Sequence, residues 1–261
     1  MTTTARQTTI NLRAQAQQRS LIDQAARVAG KSRTDFMLEA ACEKAQQVLL
    51  DQTVFALDTA HFKRFHALLD APVAHGAALR KLLRRQAPTG AVGGVKRQPP
   101  LRAPMPLADA HRLDGFCCTE PALETWLKQR ARRNQQDGAY RCYVACAGDD
   151  VVGYHALAAG AVPHIQAPGG VRRNMLDPIP VIVLGRLAVH SDWAGQGIGA
   201  GLLKDAVLRA LRLSQEMGIR ALLCNAISEE AKRFYLHHGF VLSPIEPMTV
   251  MLNLAKVPPI D

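Results

Sequence analysis

Leu187-Ala188-Val189-His190-Ser191-Asp192-Trp193-Ala194-Gly195-Gln196-Gly197-Ile198-Gly199-Ala200-Gly201-Leu202-Leu203 decides how the second half of this chain folds. Its order is strand, turn, helix. Upstream, Val181 to Val189 is an apolar, β-rich run. Downstream, Leu202, Leu203, Ala206, Val207, Ala210 and Leu211 recur at the spacing of one helix face. The glycines between them let backbone N–H groups approach an anion at the helix N-terminus, where the macrodipole also favours negative charge. Such a turn cradles a pyrophosphate. No Lys-Ser or Lys-Thr follows the glycines, so a P-loop is excluded. The dinucleotide fingerprint Gly-x-Gly-x-x-Gly is not met either, because position 200 is Ala and the pattern ends one residue early.

The surroundings extend the pattern. Val151 to Ala158 and Ile219 to Asn225 read as strands, and Glu229 to His238 as a helix with Ser228 as N-cap and Gly239 as C-cap. The motif Ala194 to Gly199 resembles the Gln/Arg-x-x-Gly-x-Gly/Ala signature of the GNAT N-acetyltransferases, and the likeness covers about Leu107 to Leu254. Ala194 departs from it: the usual Gln or Arg is missing, which leaves the backbone donors to bind the anion. The resemblance implies acetyl-coenzyme A as cosubstrate. It would be bound by Leu187, Ala188, Val189, Gly195, Gln196, Gly197, Ile198, Gly199, Ala200 and Asn225. Phe234-Tyr235 followed by Gly239-Phe240 matches the family's late helix-turn-strand, which places Tyr235 where many members keep a general acid. A phenol with a pKa near ~10 is protonated at neutral pH and suited to that task. An α-amine, near ~8, is already partly uncharged at neutral pH, whereas a lysine amine near ~10.4 needs a base, and no carboxylate beside the motif offers itself as one.

Phe116, Pro121-Ala122-Leu123, Trp126-Leu127, Arg132-Arg133-Asn134-Gln135, Gly153-Tyr154-His155-Ala156-Leu157 and Gly185-Arg186-Leu187-Ala188-Val189 together look like the TacT-type GNAT toxins. Those enzymes acetylate the free amine of aminoacyl-tRNA and stop translation. Lys128, Arg130, Arg132, Arg133, Arg141, Arg172 and Arg173 are the cations available for a phosphate-binding surface, with solvated helix faces as the competing explanation.

Of the net charge of +10 over 261 residues, nine units fall in residues 1–108 and one in residues 109–261. A basic first part favours a polyanionic partner there. Thr8 to Arg13 alternates as a short strand, and a helix is expected over Gln15 to Ala29, ended by Gly30. A second helix starts at Ser32, with Asp35 completing a cap. This order resembles the ribbon-helix-helix antitoxins of the TacA type over Gln7 to Ala45, which implies a homodimer through the paired strands. It also implies operator DNA contacts from Thr9, Asn11 and Arg13, with Lys31, Ser32 and Arg33 near a backbone phosphate. Phe55, Phe62 and Phe65 lie beyond that module and need covering. In the antitoxins this segment resembles, the corresponding region wraps the toxin; a third helix packed on its own module is the alternative. Residues 71–108 hold no acidic residue, seven Lys or Arg and many Pro and Gly, the composition of a linker, apart from a short helix around Ala77 to Arg85.

The expected organisation is therefore a mixed α+β or α/β chain. A ribbon-helix-helix module (1–47) comes first, then a toxin-neutralising segment (48–70), a basic linker (71–106) and a GNAT domain with a central splayed sheet and flanking helices (107–256). Its partners would be operator DNA and aminoacyl-tRNA. Two other functions remain open: a DNA-binding autorepressor with an inactive GNAT domain, and a GNAT enzyme acting on a metabolite or protein amine. The six cysteines form neither a paired framework nor a metal knuckle, so reduced buried thiols and no metal are expected. No apolar run approaches the ~20 residues of a membrane span, and the expected location is the cytoplasm.

Overall fold

In the computed structural model, which describes residues 8–73, 76–86, 99–165 and 177–257, the chain divides into two units, Met1–Gln47 and Val48–Asp261. The first holds helix α1 (Ala16–Val28) and most of α2 (Arg33–Leu50). The Gln18 side chain accepts from the Gln15 N–H at 3.0 Å at the start of α1, and Ser32 Oγ accepts from the Asp35 N–H at 3.1 Å, the cap the sequence places before α2. Thr8 to Arg13 corrects the expectation of a strand: in this single chain it carries no regular secondary structure. A strand needs a partner to satisfy its ladder, and Ile10 and Leu12 are 72% and 69% exposed. Leu21 and Val28 of α1 are exposed as well.

The second unit adds helices α3 (Thr59–Asp70), α4 (Gly76–Arg84), α5 (Pro121–Gln129), α6 (Ala131–Gln136), α7 (Ile198–Met217) and α8 (Glu229–His237). They surround strands β1 (Met105–Pro106), β2 (Arg141–Ala147), β3 (Asp150–Val162), β4 (Ile179–Val189), β5 (Ala221–Asn225), β6 (Val241–Leu242) and β7 (Thr249–Asn253). The sheet order is β1-β2-β3-β4-β5-β7-β6, antiparallel except for β4 with β5. That parallel pair is in register only from Val181↔Ala221 to Val183↔Leu223. Beyond it, Leu184 to Val189 keeps β3 on one edge and, among the described residues, pairs with no strand on the other. The sheet is splayed there, as a GNAT fold requires.

Residues 53–86 are part of this unit. Thr53 to Leu57 runs parallel to the end of β3, beyond the stretch that β2 covers: Phe55 N–H donates to Ala161 O at 3.0 Å and Leu57 N–H to Pro163 O at 2.9 Å. A free sheet edge thus gains a short strand. Asp58 caps α3 by accepting from His61 N–H at 2.9 Å, and the i, i+3, i+7 spacing of Phe62, Phe65 and Leu69 becomes one buried face. With Phe55 they pack on Val181, Val183, Ala221, Leu223 and Met251. Helix α4 lies within the stretch of linker composition and buries Leu79, Leu82 and Leu83. Helix α7, which packs against α4, buries Leu202, Leu203, Ala206, Val207 and Ala210, the face its periodicity predicts.

All six cysteines are free, but Cys42 and Cys117 are exposed, which corrects the expectation that they are buried. Among the described residues no helix is long and apolar enough to cross a membrane, and no cluster of His, Cys, Asp or Glu is arranged for a metal ion.

Candidate active site

The glycine turn lies between a 3-10 turn, Ser191–Trp193, and α7. Gly197 is the N-cap at φ +83°, a conformation that L side chains rarely adopt, so the backbone can wrap an anion directly below the first N–H groups of a 20-residue helix. Ala194 is extended and exposed and adds no donor side chain, while Gln196 Nε2 donates to Asp192 O at 3.2 Å. The cradle expected from Gly195 to Ala200 is therefore made of main chain. Its fit to a pyrophosphate rests on Gly197, where a Cβ would collide with the guanidinium of Arg85. An arginine from the end of α4 thus faces the positive end of α7. Lys204 Nζ anchors it by donating to Arg85 O at 2.6 Å, and Lys81, Arg84, Arg85, His237 and His238 line a basic groove. Sequence reasoning passed over Arg85 because nothing local connects it to Gly197.

Tyr235 sits on α8 and is 5% exposed, in one cluster with Leu203, Cys224 and Phe240. Burial pushes its phenol well above the ordinary value, and burial likewise pushes the neighbouring Cys224 thiol up to about 12. Tyr235 therefore stays protonated, as a proton donor must. Leu79, Leu82 and Leu83 of α4 belong to the same cluster.

At the splay, Asn225, expected at the cofactor, donates from Nδ2 to Leu49 O at 3.0 Å, and its Oδ1 accepts from Thr249 Oγ1 at 2.6 Å. Tyr140 Oη donates to Leu50 O at 3.2 Å, and Asp51 pairs with Arg186 and with Arg130, the latter at 3.1 Å. Phe55, Phe62 and Phe65 are 2%, 1% and 0% exposed against the far end of the same strands. Leu187, Ala188 and Val189 occupy the one-sided stretch of β4.

Several expected surface cations are tied within the chain. Lys128 pairs with Glu124 at 2.7 Å, Arg133 with Asp137 at 3.5 Å, and Arg132 Nη2 donates to His111 O at 2.7 Å. Lys31 pairs with Glu39 and Arg33 with Asp23. Thr9, Asn11 and Arg13 are exposed. Arg172 and Arg173 lie outside the described residues.

Comparison with known proteins divides the chain in the same way. A family profile described as antitoxin TacA 1-like matches residues 9–87, and one described as an acetyltransferase (GNAT) domain matches residues 138–242. A tRNA-acetylating toxin of Mycobacterium tuberculosis is 45% identical over 150 residues, 58% of this chain and 90% of that protein. Antitoxin TacA1 of Salmonella typhimurium is 51% identical over 77 residues, 30% of this chain and 81% of that protein. This chain belongs to the TacA–TacT toxin–antitoxin family. Its TacA-like and TacT-like parts, separate proteins in those relatives, are joined here. The fold is also that of the AtaTR complex bound with acetyl-CoA, with a TM-score of 0.55 at 27% identity over 60% of this chain and 95% of that one. AtaT complexed with acetyl-methionyl-tRNAfMet matches with a TM-score of 0.54 at 27% identity, over 60% of this chain and 96% of that one. The TacT-like part is an acetyl-coenzyme A-dependent N-acetyltransferase.

Proposed function

We propose that the TacT-like part transfers an acetyl group from acetyl-coenzyme A to the amine of aminoacyl-tRNA and so blocks translation, while the TacA-like part binds operator DNA and holds the enzyme silent. The observation that carries this reading is the placement of residues 49–73 and 76–86 on the enzyme. Leu49 to Asp51 bond to Asn225, Tyr140 and Arg186 at the splay, and the α4 leucines roof the Tyr235 cluster. A mycobacterial relative that bears the name tRNA-acetylating toxin, together with the aminoacyl-tRNA product in the AtaT complex, supports the acceptor.

Acetyl-coenzyme A, when bound, supplies an activated thioester. Gly195 to Ala200 and the N-terminus of α7 hold its pyrophosphate, and the unpaired edge of Leu187 to Val189 orients the acyl arm. Tyr235 gives its proton to the sulfur that leaves. Lys128, Arg130, Arg132 and Arg133 supply the basic face for tRNA once the surrounding ion pairs are exchanged for phosphates. Thr9, Asn11 and Arg13 read operator bases from a ribbon that two copies build, with Lys31, Ser32 and Arg33 beside the backbone. We place this activity in the cytoplasm, where charged tRNA and the operator are found.

The test is to compare growth inhibition and acetylation of charged tRNA by the full chain and by a chain lacking residues 1–94. The shortened chain should arrest growth and acetylate; equal inhibition by the two would show that the segment does not neutralise. The reading in which the GNAT domain is an inactive partner predicts that neither form acetylates.

A further inference from the structure

Arg186 stands at a bulge in β4. Ala156 pairs with Arg186 but Leu157 pairs with Leu184, so Gly185 is the additional residue. A Cβ at Gly185 would lie 2.7 Å from a ring carbon of Tyr140, so only glycine lets the bulge press against that ring. Bulges redirect side chains. Here the guanidinium lies 4.3 Å from the Trp126 ring centroid and 5.1 Å from that of Tyr140, with the side chain 1% exposed. Nη2 donates to Asp51, yet among the described residues Nε and Nη1 have no partner. Buried donors without acceptors are costly and uncommon, and a site built for a ligand is one reason to keep them. The end of α2 with Asp51, Leu49 to Asp51, lays two carbonyls and a carboxylate on the donors of Asn225, Tyr140 and Arg186.

We propose that Arg186, flanked by Tyr140 and Asn225, is the acceptor subsite: it takes the ester carbonyl oxygen next to the reacting amine and keeps that amine uncharged, and Leu49 to Asp51 is an oxygen-bearing plug that imitates this group. The inference rests on aminoacyl-tRNA as the acceptor. A carbonyl lies at the same distance from the amine in every aminoacyl ester, so this contact recognises the class and not the side chain.

Charge explains the second role. The groups facing Arg186 are Asp51, Arg130, Tyr140, Cys142 and Tyr154. Burial pushes Tyr140 up, Cys142 up to about 12, and Tyr154 well above the phenol range, so all three are neutral. With the plug seated, Asp51 balances the arginines. With it withdrawn the pocket is positive, and an ammonium there is disfavoured. A drop of about one unit from an α-amine's ~8 leaves half or more of it nucleophilic at pH 7. No carboxylate base is then required, and Asp51 departs with the plug.

The test uses the full chain with acetyl-coenzyme A and charged tRNA. Asp51→Ala should acetylate about tenfold faster than the parent, the effect of weakening the plug by one hydrogen-bonded charge. In that background Arg186→Gln should raise the KM for charged tRNA about tenfold and move the acidic limb of kcat/KM up by about one pH unit, leaving the KM for acetyl-coenzyme A unchanged. Arg186→Lys should restore the limb but not the acceptor KM, since it keeps the charge and loses the fork. If Arg186→Gln fails to fold on thermal melting, the lysine variant alone decides: a raised acceptor KM with an unmoved limb supports the subsite. An unaltered acceptor KM in the Arg186 variants overturns it, as does Asp51→Ala acting no faster than the parent. Absence of tRNA acetylation in every variant, with acetyl-coenzyme A still bound, overturns the acceptor reading and the subsite with it.

Discussion

Tyr235→Phe keeps the ring that packs against Phe240 and removes only the hydroxyl. In the chain lacking residues 1–94, kcat should fall by about 10²- to 10⁴-fold in single-turnover acetylation while acetyl-coenzyme A affinity holds. Because burial keeps the phenol protonated, the parent rate should not decline between about pH 7 and 9 through this group. A second residue-level prediction concerns His155 and Asp205, joined at 2.7 Å with Arg209 on the same carboxylate. Burial lowers the His155 imidazole below its ordinary 6.5 despite Asp205. For Asp205 burial pulls upward, but hydrogen bonds from His155 and Arg209 together hold the carboxylate below its ordinary 3.8. Both groups bind fewer protons folded than unfolded, so stability is full above 6.5 and falls as pH drops, first through the histidine and then through the carboxylate. Thermal melts from pH 7 to pH 4 should show Tm falling, and His155→Gln should flatten the upper part of that fall. The helix that carries Tyr235 was legible because a local motif surrounds it. Arg85 and Arg186 were not, since their partners Gly197 and Asp51 are distant in sequence and only the folded chain brings them together.

Helix α3 was legible as an amphipathic helix needing a cover, because Phe62, Phe65 and Leu69 share one face at helical spacing. That it lies on the enzyme was expected from the resemblance to the antitoxins; which strands it covers was not, since β4, β5 and β7 read as uniformly apolar and do not announce which face is free. Phe65→Ala should destabilise the second unit by about 3–5 kcal/mol, measured by denaturant unfolding of the full chain, because a fully buried ring leaves a cavity. Lys63→Ala, on an exposed position of the same helix, should shift the midpoint little. Helix α4 illustrates the limit of composition: the short helix expected around Ala77 to Arg85 forms, but the linker composition around it did not show that Leu79, Leu82 and Leu83 at i, i+3, i+4 pack on the enzyme.

The first unit cannot close a core from one copy. Only Ala26 of α1 is buried, while Ile10, Leu12, Leu21 and Val28 are exposed. The full chain should therefore run as a dimer in light scattering at micromolar concentration, and Ile10→Lys should return it to a monomer and abolish operator binding. Alternation over Thr8 to Arg13 led the sequence to a strand that this single chain does not form, since a strand needs a partner to pair with.

Residues 49–86 and the enzyme they cover share one covalent chain. Inhibitor and target are thus present one to one in every molecule, and the tether sets their local concentration at about the millimolar scale whatever the cellular amount. On the proposed reading, with the plug supplied by the same chain, silence in this protein is unimolecular. Specific activity should stay constant when the intact chain is diluted from micromolar to nanomolar, and a chain cut by a protease site introduced between residues 87 and 98 should gain activity over the same dilution. The proposal thus takes away the leverage of expression level, which sets the balance where toxin and antitoxin are separate proteins, and leaves only an event that lifts the plug, or a break in the chain, to change the output.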